Sequence, residues 1–198
     1  MNDNLKIQSY CRITNNSIVV NGQSVFENKG AVFPELLKLA YRQLNLNYPK
    51  FFKMDTLSRL AFLGAELLLD GSHSLNTAIV LSNRSGSLDT DLKHQETIDS
   101  GDYPSPSIFV YTLPNIGTGE IAIRHKLRSE NAFFVFEEFN AKFLREYSSI
   151  LIESGKSEQV LCGWVEVDDN RLDGMMFLAG KQGEYDLDTK TIEKLYKA

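Results

Sequence analysis

The sequence predicts a three-layer α/β/α domain built on a mostly parallel sheet of about five strands. Three observations lead there. Apolar runs of strand length alternate with longer amphipathic segments through the middle of the chain, and such alternation sets strands in parallel with helices on both faces. The runs at 77–82, 132–136 and 160–167 are short and apolar, whereas 56–69 and 140–153 carry helical spacing. No internal repeat and no low-complexity stretch interrupts the pattern.

In chain order, residues 1–33 read as short strands, with CRIT and SIVV flanking Asn15-Asn16 as a tight turn. Pro34 opens a helix to about Leu44, since proline in a first turn forfeits no backbone bond. Asp55 caps a helix over 56–69, where Leu57, Leu60, Ala61, Gly64, Leu67 and Leu68 form one stripe, and Gly71 ends it. A buried strand follows at 77–82, and the loop NRSGS leads into a polar helix at 88–98. GDYPSP is a loop because its two prolines bar regular structure. Residues 106–113 and 115–127 read as helices broken by Pro114. Then come a strand at 132–136, a helix at 140–153 stopping at Gly155, and a strand at 160–167. DDNRLDG turns into a strand at 175–179, and Asp188 caps a short final helix.

The 198 residues fit one domain, 1–198, with 42% hydrophobic and 24% charged residues. Two cysteines, Cys11 and Cys162, are too few for a disulfide scaffold or a cysteine-based zinc site. The N-terminus lacks an apolar signal core, and Glu66 interrupts the longest apolar run, so a cytoplasmic location is expected. A net charge of −5 argues against a nucleic-acid binder. No cofactor is expected. Gly117-Thr118-Gly119 does not follow a strand, so it is no dinucleotide fingerprint. NRSGS lacks the Walker spacing and lysine, and reads as a connecting turn. Three histidines, His73, His94 and His125, give no ligand pair at metal spacing. Adjacent Glu137 and Glu138, if in a strand, point to opposite faces and do not make an acid/base pair.

Four separated pieces carry a resemblance. FFKMDTLSRLAFLGAELLL places Lys-Met-Asp before a long helix. SNRSGSLDTD is a Gly/Ser loop after a strand. SPSIFVYTLPNIGTGEIAI holds a Pro-Asn and a glycine turn. LIESGKSEQVLCGWVE is a helix end, its glycine and the next strand. In this order, over 51–167, they resemble the N-terminal, nucleophile-bearing half of a β-ketoacyl-(acyl-carrier-protein) synthase of the thiolase-like superfamily. The small Bacteroidetes-type proteins of aryl-polyene and flexirubin pathways are similar.

The resemblance implies a nucleophilic cysteine at the start of the helix after the apolar strand, where helix N–H groups stabilise a thiolate and an oxyanion. Counting back from Gly155 puts Glu138 there, or Glu137 if the register slips by one. A carboxylate is a poor acyl-transfer nucleophile, and no histidine pair is assignable. Glu138 is open to three readings: a helix-start carboxylate satisfying free N–H groups, a mimic of the acyl-thioester charge as in chain-length-factor subunits, or a decarboxylase-like group. Asn115, Glu138 and Phe139 are the substrate-pocket candidates.

The resemblance further implies that the strand Ala132, Phe133, Phe134, Val135 and Phe136 lies at a sheet edge and pairs with a second subunit. An open apolar edge is otherwise an aggregation hazard. A homodimer, or a heterodimer with a synthase, is expected. Arg124, Lys126 and Arg128 make either a cationic helix end that suits the dipole or a patch for an acidic acyl carrier protein. In the helix 140–153, Phe139, Phe143, Tyr147, Ile150 and Leu151 make an apolar side, and Lys142, Arg145, Glu146, Ser149 and Glu153 a polar one. One wet face suits a free-standing half-domain. The expected function is a non-catalytic partner in fatty-acid or polyene assembly. The alternatives are a residual acyl-thioester decarboxylase or hydrolase using Glu138, and a small-molecule binding domain.

Overall fold

The computed structural model describes residues 5–33, 35–69, 71, 73–101, 103–168 and 171–197. The chain opens with β1 (Lys6–Thr14), β2 (Ser17–Val20) and β3 (Gln23–Glu27), followed by α1 (Glu35–Gln43) and a 3-10 turn at Pro49–Lys53. Then come α2 (Thr56–Leu68), β4 (Thr77–Asn83), α3 (Leu88–Asp99), α4 (Pro106–Val110) and α5 (Ile116–His125). β5 (Asn131–Val135), α6 (Ala141–Glu153), β6 (Gln159–Asp168), β7 (Arg171–Gly180), β8 (Tyr185–Asp186) and α7 (Thr189–Lys197) complete it. Pro34, the expected helix opener, lies outside the described residues.

The strands form one eight-stranded sheet in the order β3-β2-β1-β7-β6-β4-β5, with β8 on β1. It is mixed rather than mostly parallel. Among the described residues, β4–β5 and β4–β6 run parallel, and every other pair is antiparallel. The cause lies in the connections. Helical crossovers join β4, β5 and β6, whereas only two residues separate β1 from β2, β2 from β3 and β6 from β7, a length that only antiparallel strands accept. The strand β7 also begins at Arg171, inside the stretch expected to be a turn, and pairs with Asp168. Asn15-Asn16 does link β1 to β2. Asn21 and Gly22, both at positive φ (49° and 80°), make the second hairpin turn, the geometry that Asn-Gly favours.

Helices cover both faces. One core layer packs α1, α2 and α5 against the sheet, with Leu36, Leu60, Phe62 and Ile121 buried beside Ile79 and Leu161. The other packs α6 and α7, with Leu144, Leu151 and Ile192 against Val80, Cys162 and Phe177. Local signals set the helix ends: Asp55 accepts from Ser58 N at 2.9 Å, and Asp188 from Thr191 N at 2.9 Å. Gly71 does not end α2, whose C-cap is Leu69. α6 is rotated relative to its expected stripe. Ile150 is 58% exposed, while Ser148 and Ser149 are buried beside Leu144, Leu151 and Ile152. Phe143 and Tyr147 instead pack laterally with Phe134 into an aromatic cluster at the β5 edge.

Candidate functional site

The carboxyl ends of the parallel strands β4, β5 and β6 meet at one end of the sheet, the usual place for a site in an open α/β fold. A cleft of about 230 Å³ opens there. Its floor is the α6–α7 face of the β6–β7 ladder. Strand alternation turns Trp164 and Glu166 to that face, and Asp173 stands directly across from Glu166. Its rim is the connection from β5 to α6, which carries Glu137, Glu138 and Phe139.

Glu137 and Glu138 are exposed. Neither caps the helix, because Asn140 does, accepting from Phe143 N at 3.0 Å. A helix-capping role for Glu138 is thereby replaced: two residues separate it from the first helical N–H groups. Phe139 is half-buried. Its ring stacks on Tyr196 at 4.0 Å and meets Trp164 edge-on at 6.2 Å. Asn115 does not join them. It sits at the start of α5, exposed, with no side-chain capping bond.

The charges of the cleft are organised by long-range contacts. Glu166, 7% exposed, accepts through Oε2 from the backbone N–H of Arg84 at 2.5 Å and of Ser85 at 3.3 Å. The Arg84 and Ser85 amides of the NRSGS loop are thus engaged by a carboxylate, which leaves them unsuited to phosphate. Asn83 closes the same loop, donating to Gly86 O at 2.7 Å and accepting from Gly86 N at 2.9 Å. Arg84 pairs with Asp168. Arg12 Nη2 pairs with Asp173 Oδ1 at 2.7 Å, and the Tyr196 hydroxyl donates to Asp173 Oδ2 at 2.6 Å. Burial, and then this bond to a carboxylate, push the Tyr196 hydroxyl up to about 12. Two arginines, Arg84 and Arg171, face five carboxylates among the lining side chains.

Among the described residues, no histidine or cysteine lines the cleft. Cys11 lies in β1 and Cys162 in β6, both fully buried, and burial pushes each thiol up to about 12. Each is directed into the core, Cys11 toward Gly64 O and Cys162 toward Leu144 O. His73 and His125 meet at the opposite end of β4, their rings 5.3 Å apart. There Arg124 forms a two-pronged pair with Glu66 (2.8 and 3.1 Å), and His125 Nε2 lies 2.9 Å from Glu66 Oε1, an ion-pair distance without hydrogen-bond alignment. Burial raises the Glu66 pKa, but His125 and Arg124 outweigh it and hold the carboxyl near 2. The charge of Arg124 is therefore largely balanced. Lys126 and Arg128 remain exposed.

β5 is an edge strand, with Ala132, Phe133 and Phe134 half-buried and Val135 58% exposed. Phe136 lies just past its end and packs on Phe143. The residues that sequence reasoning missed are Arg84, Trp164, Glu166, Asp173 and Tyr196. One signal was available for two of them: Glu166 stands between Val165 and Val167, and Asp173 follows Leu172, so each is a charge beside apolar residues in a mostly apolar strand.

No family model and no curated protein matches this sequence. Solved structures do match in fold. The ishigamide ketosynthase/chain length factor superposes with a TM-score of 0.67 at 16% identity, over 89% of this chain and 62% of that one. The ketosynthase ApeO in complex with its chain length factor ApeC, from Xenorhabdus doucetiae, gives 0.62 at 15% identity, over 98% and 90%. A type II polyketide acyl-carrier protein in complex with its ketosynthase (AntDE:AntF) gives 0.58 at 12%, over 89% and 62%. The chain thus spans less than two thirds of the first and third of these, and nearly all of the matched chain in the second. No helix among the described residues is long and apolar enough to cross a membrane. The mixed sheet, its two helical layers and these superpositions together give this chain the thiolase-like fold of β-ketoacyl synthases and chain length factors.

Proposed function

We propose that this chain is a non-catalytic, β-ketoacyl-synthase-like partner in fatty-acid or polyene assembly. It pairs along β5 with a β-ketoacyl synthase or with a second copy of itself. The observation that carries this reading is the chemistry of the β5–α6 connection. The position that the family resemblance assigns to a nucleophile holds exposed Glu138, and both thiols of the chain are buried elsewhere. A thiolate attacker needs access and a lowered pKa; these thiols have neither. The open β5 edge supports the pairing, since an unpaired apolar edge is a template for another strand. Lys126 and Arg128 are what remains of a surface for an acidic carrier protein.

Co-expression with a ketosynthase from the same genome, followed by light scattering, tests the pairing. The complex is expected to form with the native chain and to be lost with Val135→Lys, which places a charge on the exposed edge without touching the core. A complex indifferent to Val135→Lys would move the interface elsewhere.

A residual decarboxylase acting through Glu138 is the second reading, and the place of Glu138 on the cleft rim favours it. The electrostatics oppose it: five carboxylates around the cleft repel a malonyl carboxylate. Glu138→Ala in an assay on malonyl carrier protein decides between the two. Turnover by the native chain that disappears in the variant would support the enzyme, and no turnover in either supports the partner role.

A further inference from the structure

We infer that α3 and α4 form an arm that docks onto a second copy of this chain, against the end of that copy's α5. The inference rests on the pairing along β5 and commits its occupant to another copy. It begins with two helices that lack a core of their own. Among the described residues, Thr90 is the one buried member of the 12 in α3, and α4 buries none. Leu88, Leu92, Ile98, Phe109, Val110 and Leu113 are instead 46–61% exposed. The two helices pack on each other, with the His94 and Phe109 rings 5.6 Å apart, and the Ser87 hydroxyl donates to Thr112 O. Helices this short are marginal in water unless an apolar face is covered, and a grouped apolar surface marks a contact.

The arm stands at the carboxyl end of the parallel strands. Phe136 N donates to Asn83 O there at 2.9 Å, and Asn83 closes the loop that enters α3. Thr90 Oγ1 donates to Asp55 Oδ2 at 2.8 Å, which keeps the arm on the α2–α5 side of the sheet. α5 packs beside α2 over β4 and β5 and returns to the amino end, where Arg128 N donates to Leu75 O at 2.8 Å. A two-fold axis normal to the sheet lets β5 hydrogen-bond to its own copy. It makes the two strands antiparallel and keeps each helical layer on its own side. The α5 end of the second copy then comes to the arm of the first, and the exchange occurs twice. The charges match. α3 carries Asp89, Asp91, Glu96 and Asp99 against one lysine, Lys93. Lys126 and Arg128 are exposed and have no ion-pair partner among the described residues, so across the two-fold they meet an acidic helix. The size argument agrees: β5 has five residues, far short of the about 20–30 residues a side that a stable interface engages.

Sedimentation equilibrium of the full chain alone, at micromolar concentration and low salt, is the test. A dimer is expected, and it is expected to weaken as NaCl is raised. Leu92→Asp/Phe109→Asp changes two exposed side chains and is expected to raise the dimer Kd at least about tenfold. Lys126→Glu/Arg128→Glu is expected to raise it about tenfold, and adding Glu96→Lys/Asp99→Lys to that variant to return it to within about threefold of native. All four charges are on exposed residues, so the fold is not at stake. Within one chain the arm and the α5 end lie at opposite ends of β4, so recovery reports a contact between copies. A native chain that stays monomeric, a dimer that tolerates Leu92→Asp/Phe109→Asp, or charge reversals that do not compensate would overturn the proposal. Pairing along β5 is read separately. It stands if Val135→Lys breaks a dimer that the arm variants leave intact, or if a monomeric chain still captures a ketosynthase.

Discussion

Arg12 and Tyr196, 184 positions apart, lock the first strand to the last helix. Arg12 Nε donates to the Tyr196 carbonyl oxygen at 2.9 Å, and the guanidinium lies 4.8 Å from the centre of the Tyr196 ring. Phe139 stacks on the same ring at 4.0 Å, so the ring is held between a cation and an aromatic. One wall of the cleft therefore depends on contacts among β1, the rim and α7. Tyr196→Phe keeps the stack and loses only the hydroxyl bond to Asp173, at a cost of about 1.5–3 kcal/mol. Tyr196→Ala also empties the stack and is expected to cost about 3–5 kcal/mol. Urea denaturation of the two variants separates these contributions. Equal losses would show that the ring stack contributes nothing.

Arg12 itself tolerates lysine poorly. Its fork reaches Gly174 O at 2.9 Å and Asp173 as well as Tyr196 O, and an ammonium cannot match that geometry. Arg12→Lys is expected to destabilise the chain by about 2 kcal/mol, because Asp173 is buried and loses a donor. A midpoint of denaturation unchanged from the native chain would contradict this.

Glu66 makes stability depend on acid. Its folded pKa, about 2, lies below its ordinary value of 4.5. A depressed carboxyl contributes stability that is complete above the unfolded value and is lost as pH falls from there toward 2. Denaturation between pH 6 and pH 2.5 is expected to show this loss, and Glu66→Gln to reduce it, while being about 2 kcal/mol less stable at pH 6. A variant with the same acid slope as the native chain would remove Glu66 from this role.

Both thiols should resist modification in the native state. Cys11 and Cys162 are fully buried, with pKa values near 12. At pH 8, a disulfide reagent is expected to label neither until denaturant is added, and then both. Rapid labelling of one thiol in the folded protein would reopen the question of a nucleophile.

Gly163 sits where β6 passes β7 too closely for any side chain. A Cβ there would stand 2.3 Å from Met175 O and 2.8 Å from Met176 Cα. Both are backbone atoms and cannot swing away, so Gly163→Ala is expected to cost about 3 kcal/mol or more by thermal melting. The strand that carries Trp164 and Glu166 would shift with it.

The sequence by itself determined what neighbouring residues decide. Asp55 and Asp188 announced the starts of α2 and α7, because a cap acts on N–H groups three residues away. The apolar runs located β4, β5 and β6 to within a residue; burial on both faces demands such runs in β4 and β6, whereas β5 carries its run as a half-buried edge strand. Only the tertiary structure decided the rest. Strand direction follows from which elements pair over long distances, so the mixed sheet was not visible in any local period. The rotation of α6 follows from what packs beside it, which left Ile150 in solvent and buried Ser148. The charge of Arg124 is balanced by Glu66, 58 positions away, and the cleft joins side chains from five separate segments. Hydrophobic spacing records how much of a residue is buried; it does not record its neighbours, and the neighbours make the site.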